Sequence, residues 1–89
     1  MPSISMFYGI IIYMYFFDDQ QHKLPHIHVE YQDNEASVAI DNGKVIAGKL
    51  KRKQLKLVQA WIEIHKEELM ADWSLAKKGQ SLFKIEPLK

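Results

Sequence analysis

The sequence predicts an α+β fold: a small antiparallel sheet of three to four strands followed by a long C-terminal helix packed on one face. Three observations carry that prediction. The first half is rich in β-branched and aromatic residues, with an alternating stretch from His26 to Tyr31. Turn signals, "QDNE" and "DNG", divide it into hairpin-sized pieces. From Arg52 onward the apolar spacing changes from two to three and four, and no strand-like alternation returns before the tail.

Met6 to Phe17 is apolar apart from Gly9 and reads as one buried strand, with Ile10, Ile12, Met14 and Phe16 on one face and Ile11, Tyr13, Tyr15 and Phe17 on the other. Asp18 to Pro25 is a polar loop, closed by a proline that has no N–H to give a ladder. In the next strand Ile27, Val29 and Tyr31 point one way and His26, His28 and Glu30 the other. Gln32 to Glu35 forms the turn into a strand over Ala36 to Ile40, and Asp41-Asn42-Gly43 reverses the chain into Lys44 to Gly48, because Asn-Gly tolerates the positive φ a tight reversal needs. Leu55, Val58, Ile62, His65, Leu69, Trp73 and Ala76 form one helical stripe, and Gly79 ends the helix after Lys77 and Lys78. Straight from Arg52 to Lys78, that helix would run about 40 Å, so a bend or break is expected after His65. The tail, "LFKIEPLK", reads as a short edge strand held by Leu82, Phe83 and Ile85.

The 89 residues make a single domain, 1–89, with 47% hydrophobic and 26% charged residues, an ordinary globular balance. The absence of cysteine excludes disulfides, thiolate metal sites and a thiol nucleophile. The apolar run of Met6 to Phe17 has no basic residue before it, ends in Asp18-Asp19 and is too short for a spanning helix, so a soluble, cytoplasmic protein with no membrane partner is expected. A net charge of +1 singles out no partner, but the stretch between Asp41 and Glu63 holds no acid and carries Lys44, Lys49, Lys51, Arg52, Lys53 and Lys56.

Three of the four histidines fall between His22 and His28. His26 and His28 share a strand face, roughly 6–7 Å apart, and Glu30 continues the row. With His22 from the loop these are the residues that could hold zinc or a similar ion. Alternating polar residues are also what any half-exposed strand shows, so no metal and no cofactor is predicted; a dimer two-fold would be the simplest way to complete such a site. Under a second reading, His26 or His28 is the general base of a ribonuclease, with Lys49, Lys51, Arg52, Lys53 and Lys56 holding phosphates at the helix start. His65 lies on the apolar stripe and is expected to be buried, neutral and bonded to backbone, while Trp61 and Trp73 belong to the core.

Four segments together resemble domain-of-unknown-function family 4160. They are Met1 to Phe16, close to "MPxIxxFxGIxIxMYF"; Pro25-His26-Ile27-His28-Val29; Leu57 to Leu69, matching "LVxxWxExHxxEL"; and the closing Lys84 to Leu88. The resemblance covers nearly the whole chain and points to Pro25, His26 and His28, with His22 matching a more variable loop position. It implies a member of a two-gene pair of the toxin–antitoxin type but no established activity. The chain departs from the common pattern at Leu24 and at Lys51, both positions where proline is frequent, so the basic cluster is not a family-wide feature. The expected function is an interaction module that forms a homodimer or pairs with a second small protein; the alternative is the histidine-dependent ribonuclease, with RNA as substrate.

Overall fold

The computed structural model describes residues 3–16 and 24–88. Five strands, β1 (Ser3–Phe7), β2 (Ile10–Tyr13), β3 (His26–Tyr31), β4 (Asn34–Ala39) and β5 (Val45–Gly48), precede two helices, α1 (Arg52–Ile64) and α2 (Lys66–Lys77). The strands form one antiparallel meander in chain order, β1-β2-β3-β4-β5. The α+β class expected from the sequence is thus observed, with five strands in place of three to four.

The additional strand comes from the N-terminal apolar run, which is a hairpin and not one strand. Tyr8 and Gly9 have φ of 51° and 78°, and Phe7 pairs with Ile10 across them. Two successive positive φ values match the right-handed twist of the flanking strands. β2 then ends at Tyr13, before Met14 to Phe16, while Phe17 and residues 18–23 of the expected loop Asp18 to Pro25 lie outside the described residues. The second turn is also tighter than the sequence suggested: Gln32 and Asp33 suffice, and Asn34 and Glu35 belong to β4, opposite Tyr31 and Glu30. At Asp41–Gly43 the expected reversal is present, closed by Gly43 N–H to Ala39 O at 2.9 Å. Gly48 has φ +74°, and a Cβ there would collide with the Glu35 carbonyl, so only glycine fits where β5 crosses β4.

Pairing fixes which residues share a face. Ile12, Val29 and Ala36 form an inner row, flanked by Ile27–Val38 and by Phe7–Ile10. These side chains are buried with Val58, Trp61, Ile62, Leu69 and Trp73 of the helices in one core. The helical stripe read from the sequence is therefore the packed one, and both tryptophans are core residues. The break falls at His65, with φ −113° and ψ 25°. A continuous helix of about 40 Å would overrun a molecule whose longest dimension is 33 Å; the break keeps both apolar stripes on the sheet. α2 closes with Gly79 N–H to Ala76 O and Gln80 N–H to Leu75 O, the paired bonds of a Schellman cap.

His65 departs from expectation. Its Nδ1–H donates to Glu68 Oε1 at 2.6 Å, and its side chain keeps 13% of its surface. Its backbone keeps the ladder bonds to Trp61 O and from Leu69 N–H, so its ring, tilted over Trp61, finds the carboxylate one turn on instead of a backbone group. The tail differs too. It is not a strand, although Ile85 N–H donates to Ile4 O at 2.8 Å and Trp61 Nε1–H to Glu86 O at 2.8 Å. Ile85 is buried, whereas Phe83 is 74% exposed and does not hold the tail. Its backbone N–H does so by donating to Asp72 Oδ1 at 3.0 Å. Among the described residues, no helix is long and apolar enough to cross a membrane.

Candidate functional site

The face of the sheet turned away from the core is built from two neighbouring rows. Tyr13, His28, Ser37 and Ala47 lie side by side across β2 to β5, and Met6, Ile11, Glu30 and Glu35 lie across β1 to β4. Strand alternation puts them there, since every one neighbours an inward-facing residue in sequence. Between and around these rows is a solvent-open cleft of ≈ 440 Å³, walled by Tyr13, Tyr15, His28, Glu30, Glu35 and Ser37.

His28 is the fixed point of the cleft. Tyr15 stacks on it with ring centroids 3.9 Å apart and planes 5° from parallel. The Tyr15 hydroxyl is 3.2 Å from His28 Nδ1. With the rings parallel, that hydroxyl sits over the imidazole plane and not in it, so stacking carries this contact. Ser37 Oγ lies 3.3 Å from the same nitrogen, from the directly opposed position on β4. Burial raises the Tyr15 phenol above the ordinary value of 10.0, and the nearby Glu35 carboxylate adds to the rise. Tyr15 therefore stays a neutral phenol well above physiological pH.

His26 has a different setting. It is 2% exposed, and its Nδ1–H donates to the Leu24 carbonyl at 2.8 Å, which fixes the proton on that nitrogen because a carbonyl can only accept. Its ring lies 5.1 Å from that of Trp73 and 5.0 Å from that of His28. Both histidines lie on the side of the strand opposite Ile27 and Val29, as the alternation predicts, yet His26 still meets α2. After the break at His65, α2 reaches the end of the sheet, where Trp73 meets Phe16 and His26 together.

The sequence-predicted site residues are thus divided. His28 and Glu30 line the cleft, whereas His26 is buried and does not. His22 lies outside the described residues. Among the described residues no three histidine, aspartate or glutamate side chains converge as a metal site would require. Lys49, Lys51, Arg52, Lys53 and Lys56 are exposed at the start of α1 and none lines the cleft. The backbone N–H of Lys49 bonds Glu35 O at 3.0 Å, but its ammonium makes no ion pair with the Glu35 carboxylate.

Sequence reasoning missed Tyr13, Tyr15, Glu35 and Ser37 as parts of one site. A signal for Glu35 was available: a two-residue turn at Gln32-Asp33 places Glu35 directly across from Glu30, where a four-residue turn removes it from the sheet. Tyr13 and Tyr15 were already on one side of the alternation, but their neighbour His28 follows only from the pairing of Tyr13 with His28.

No curated protein and no solved structure matches the chain. The family model for a domain of unknown function, DUF4160, matches residues 9–74, a span that runs from the first turn past Trp73 and includes every residue that lines the cleft. The chain belongs to that family.

Proposed function

We propose that this chain is a small cytoplasmic interaction module, one component of a two-gene pair of the toxin–antitoxin type, and that its partner protein covers the outer face of the sheet. One observation carries the reading. The helices cover one face, whereas the other presents Met6 (60% exposed), Ile11 and Tyr13 beside a cleft that the described residues do not fill. A homodimer through this face is the weaker form of the proposal. A two-fold axis through the cleft would set Glu30 and Glu35 against the same carboxylates of the second copy, so a different protein of complementary charge fits better.

The ribonuclease alternative finds less support. An RNA phosphate approaching His28 would meet Glu30 and Glu35, and the lysines meant to hold it stand outside the cleft.

Co-expression with the product of the adjacent gene, followed by size-exclusion chromatography with light scattering, tests the proposal. A co-eluting complex that protects Tyr13 and Met6 from surface labelling is expected. A chain that stays a monomer at micromolar concentration with every co-expressed neighbour would refute it. Growth arrest on expression, relieved by His28→Ala, would instead favour the ribonuclease.

A further inference from the structure

The cleft contains an electrostatic arrangement that the fold does not require. Glu30 and Glu35 are directly opposed across β3 and β4, on the same face, and like charges in that relation repel. Neither has an ion-pair partner among the described residues, although the chain carries twelve lysines and arginines. The aromatic and polar part of the remaining wall is Tyr13, the Tyr15–His28 stack and Ser37. Tyr15 is held by its stack, and the Glu35 carboxylate lines the same cleft.

We propose that the cleft is a receptor for an arginine side chain of the partner protein, the guanidinium lying between the aromatic wall and the Glu30–Glu35 pair. The proposal rests on the interaction reading above and names the chemistry of the partner. A guanidinium is the cation that fits. It is planar and stacks on aromatic rings, and it spreads five donors over a fork wide enough to serve two carboxylates and a hydroxyl at once. A divalent ion needs its ligands to converge on a point, and the described acids and histidines do not converge. An ammonium is compact and strongly hydrated, and it would reach one carboxylate while leaving the other uncompensated.

The test is a ¹⁵N NMR titration of the full chain with a blocked Gly-Arg-Gly peptide. The citrulline peptide, equal in shape but neutral, and the lysine peptide serve as controls. Saturable shifts are expected at the amides of Glu30, Glu35, Ser37 and Ala47, with affinity on the order of millimolar for so small a ligand. They should be absent with citrulline and about tenfold weaker in the E30Q/E35Q double variant. That variant should melt no lower than the wild type, since it loses a repulsion, so weaker binding would not reflect unfolding. Overturning outcomes are no saturable shift at those amides, equal response to citrulline or lysine, undiminished binding by E30Q/E35Q, or a second copy of the chain occupying the cleft. The partner assay separates the two claims. A complex that forms equally well with E30Q/E35Q removes the arginine and leaves the interaction module standing.

Discussion

The two sides of β3 have different fates although they alternate within six residues. Ile27 and Val29 face the core and keep almost no surface, while His28 and Glu30 face the cleft and stay half-buried. His26 belongs by pairing to the cleft side yet is buried as deeply as the core residues, opposite a buried Ala39. Among the described residues the outer face is therefore closed at one end of the strand, by α2 and Phe16, and open at the other. Strand alternation decides which face a residue joins; the path of the helices decides whether that face is covered. Two helices joined at a break can seal one side of a five-stranded sheet and one end of the other, and the uncovered remainder is where an external ligand can act.

The largest effect should come from adjacent residues on opposite faces. Ile12→Ala removes a fully buried side chain from the middle row of the core and should cost about 2–5 kcal/mol. In a domain of ordinary stability that approaches unfolding. Ile11→Ala, one residue earlier and on the outer face, should cost less than about 1 kcal/mol. Urea titrations of both variants check this, and equal costs would mean that the outer face is packed as tightly as the inner one.

A smaller contrast separates the two histidines. His26→Ala empties a buried position and frees the Leu24 carbonyl from its donor, and about 1–3 kcal/mol should be lost. His28→Ala leaves a gap that water can enter and should cost about half as much. Thermal melts of the pair give the order directly; the reverse order would show that the Tyr15–His28 stack, and not α2, holds that end of the sheet.

How much of this was legible in the sequence depended on local signals. The helical stripe, the break after His65, the Asp41–Gly43 turn and the inward set Ile27, Val29 and Val38 follow from spacing alone. The N-terminal hairpin did not, because Tyr8 and Gly9 interrupt a run that is apolar on both sides, and a tyrosine at φ 51° gives no composition signal. The candidate site was half legible. His28 and Glu30 stand out on their strand, but the cleft is made by neighbours on β2 and β4, and register across strands is a tertiary property. His26 shows the same limit from the other side: alternation placed it correctly, and it packs against Trp73, 47 positions later in the chain.

Asp72 allows a comparison between a carboxyl in the core and those in the cleft. It is 2% exposed; burial raises its pKa above 3.8, its bond from Phe83 N–H opposes the rise, and Glu68 adds to it. Between 3.8 and the raised native value, the native state holds a proton that the unfolded chain has released. Stability therefore falls as pH rises through that window and remains lower above it. Asp72→Asn keeps an oxygen for Phe83 N–H and cannot ionise. Relative to the wild type it should gain stability between pH 3.8 and neutrality, measured by chemical denaturation at each pH. A pH-independent difference between the two proteins would place Asp72 in a solvated setting.

The smallest expected effect bears most directly on the cleft. Opposed like charges on a sheet cost about 0.2–1 kcal/mol, and the exposure of Glu35 puts the Glu30–Glu35 pair toward the lower half of that range. Replacing either carboxylate by its amide should therefore raise stability, with Tm higher by about 1–4 °C. Because either change alone removes the repulsion, the gains should not add: E30Q/E35Q should melt close to each single variant. In about 1 M salt, where screening acts over roughly 3 Å, the gain should shrink toward zero. Two independent losses of stability, additive in the double variant, would mean that each carboxylate already has a favourable neighbour. Non-additive gains that salt removes would identify a charge pair that costs the free protein stability, the repulsion that the proposed guanidinium would offset.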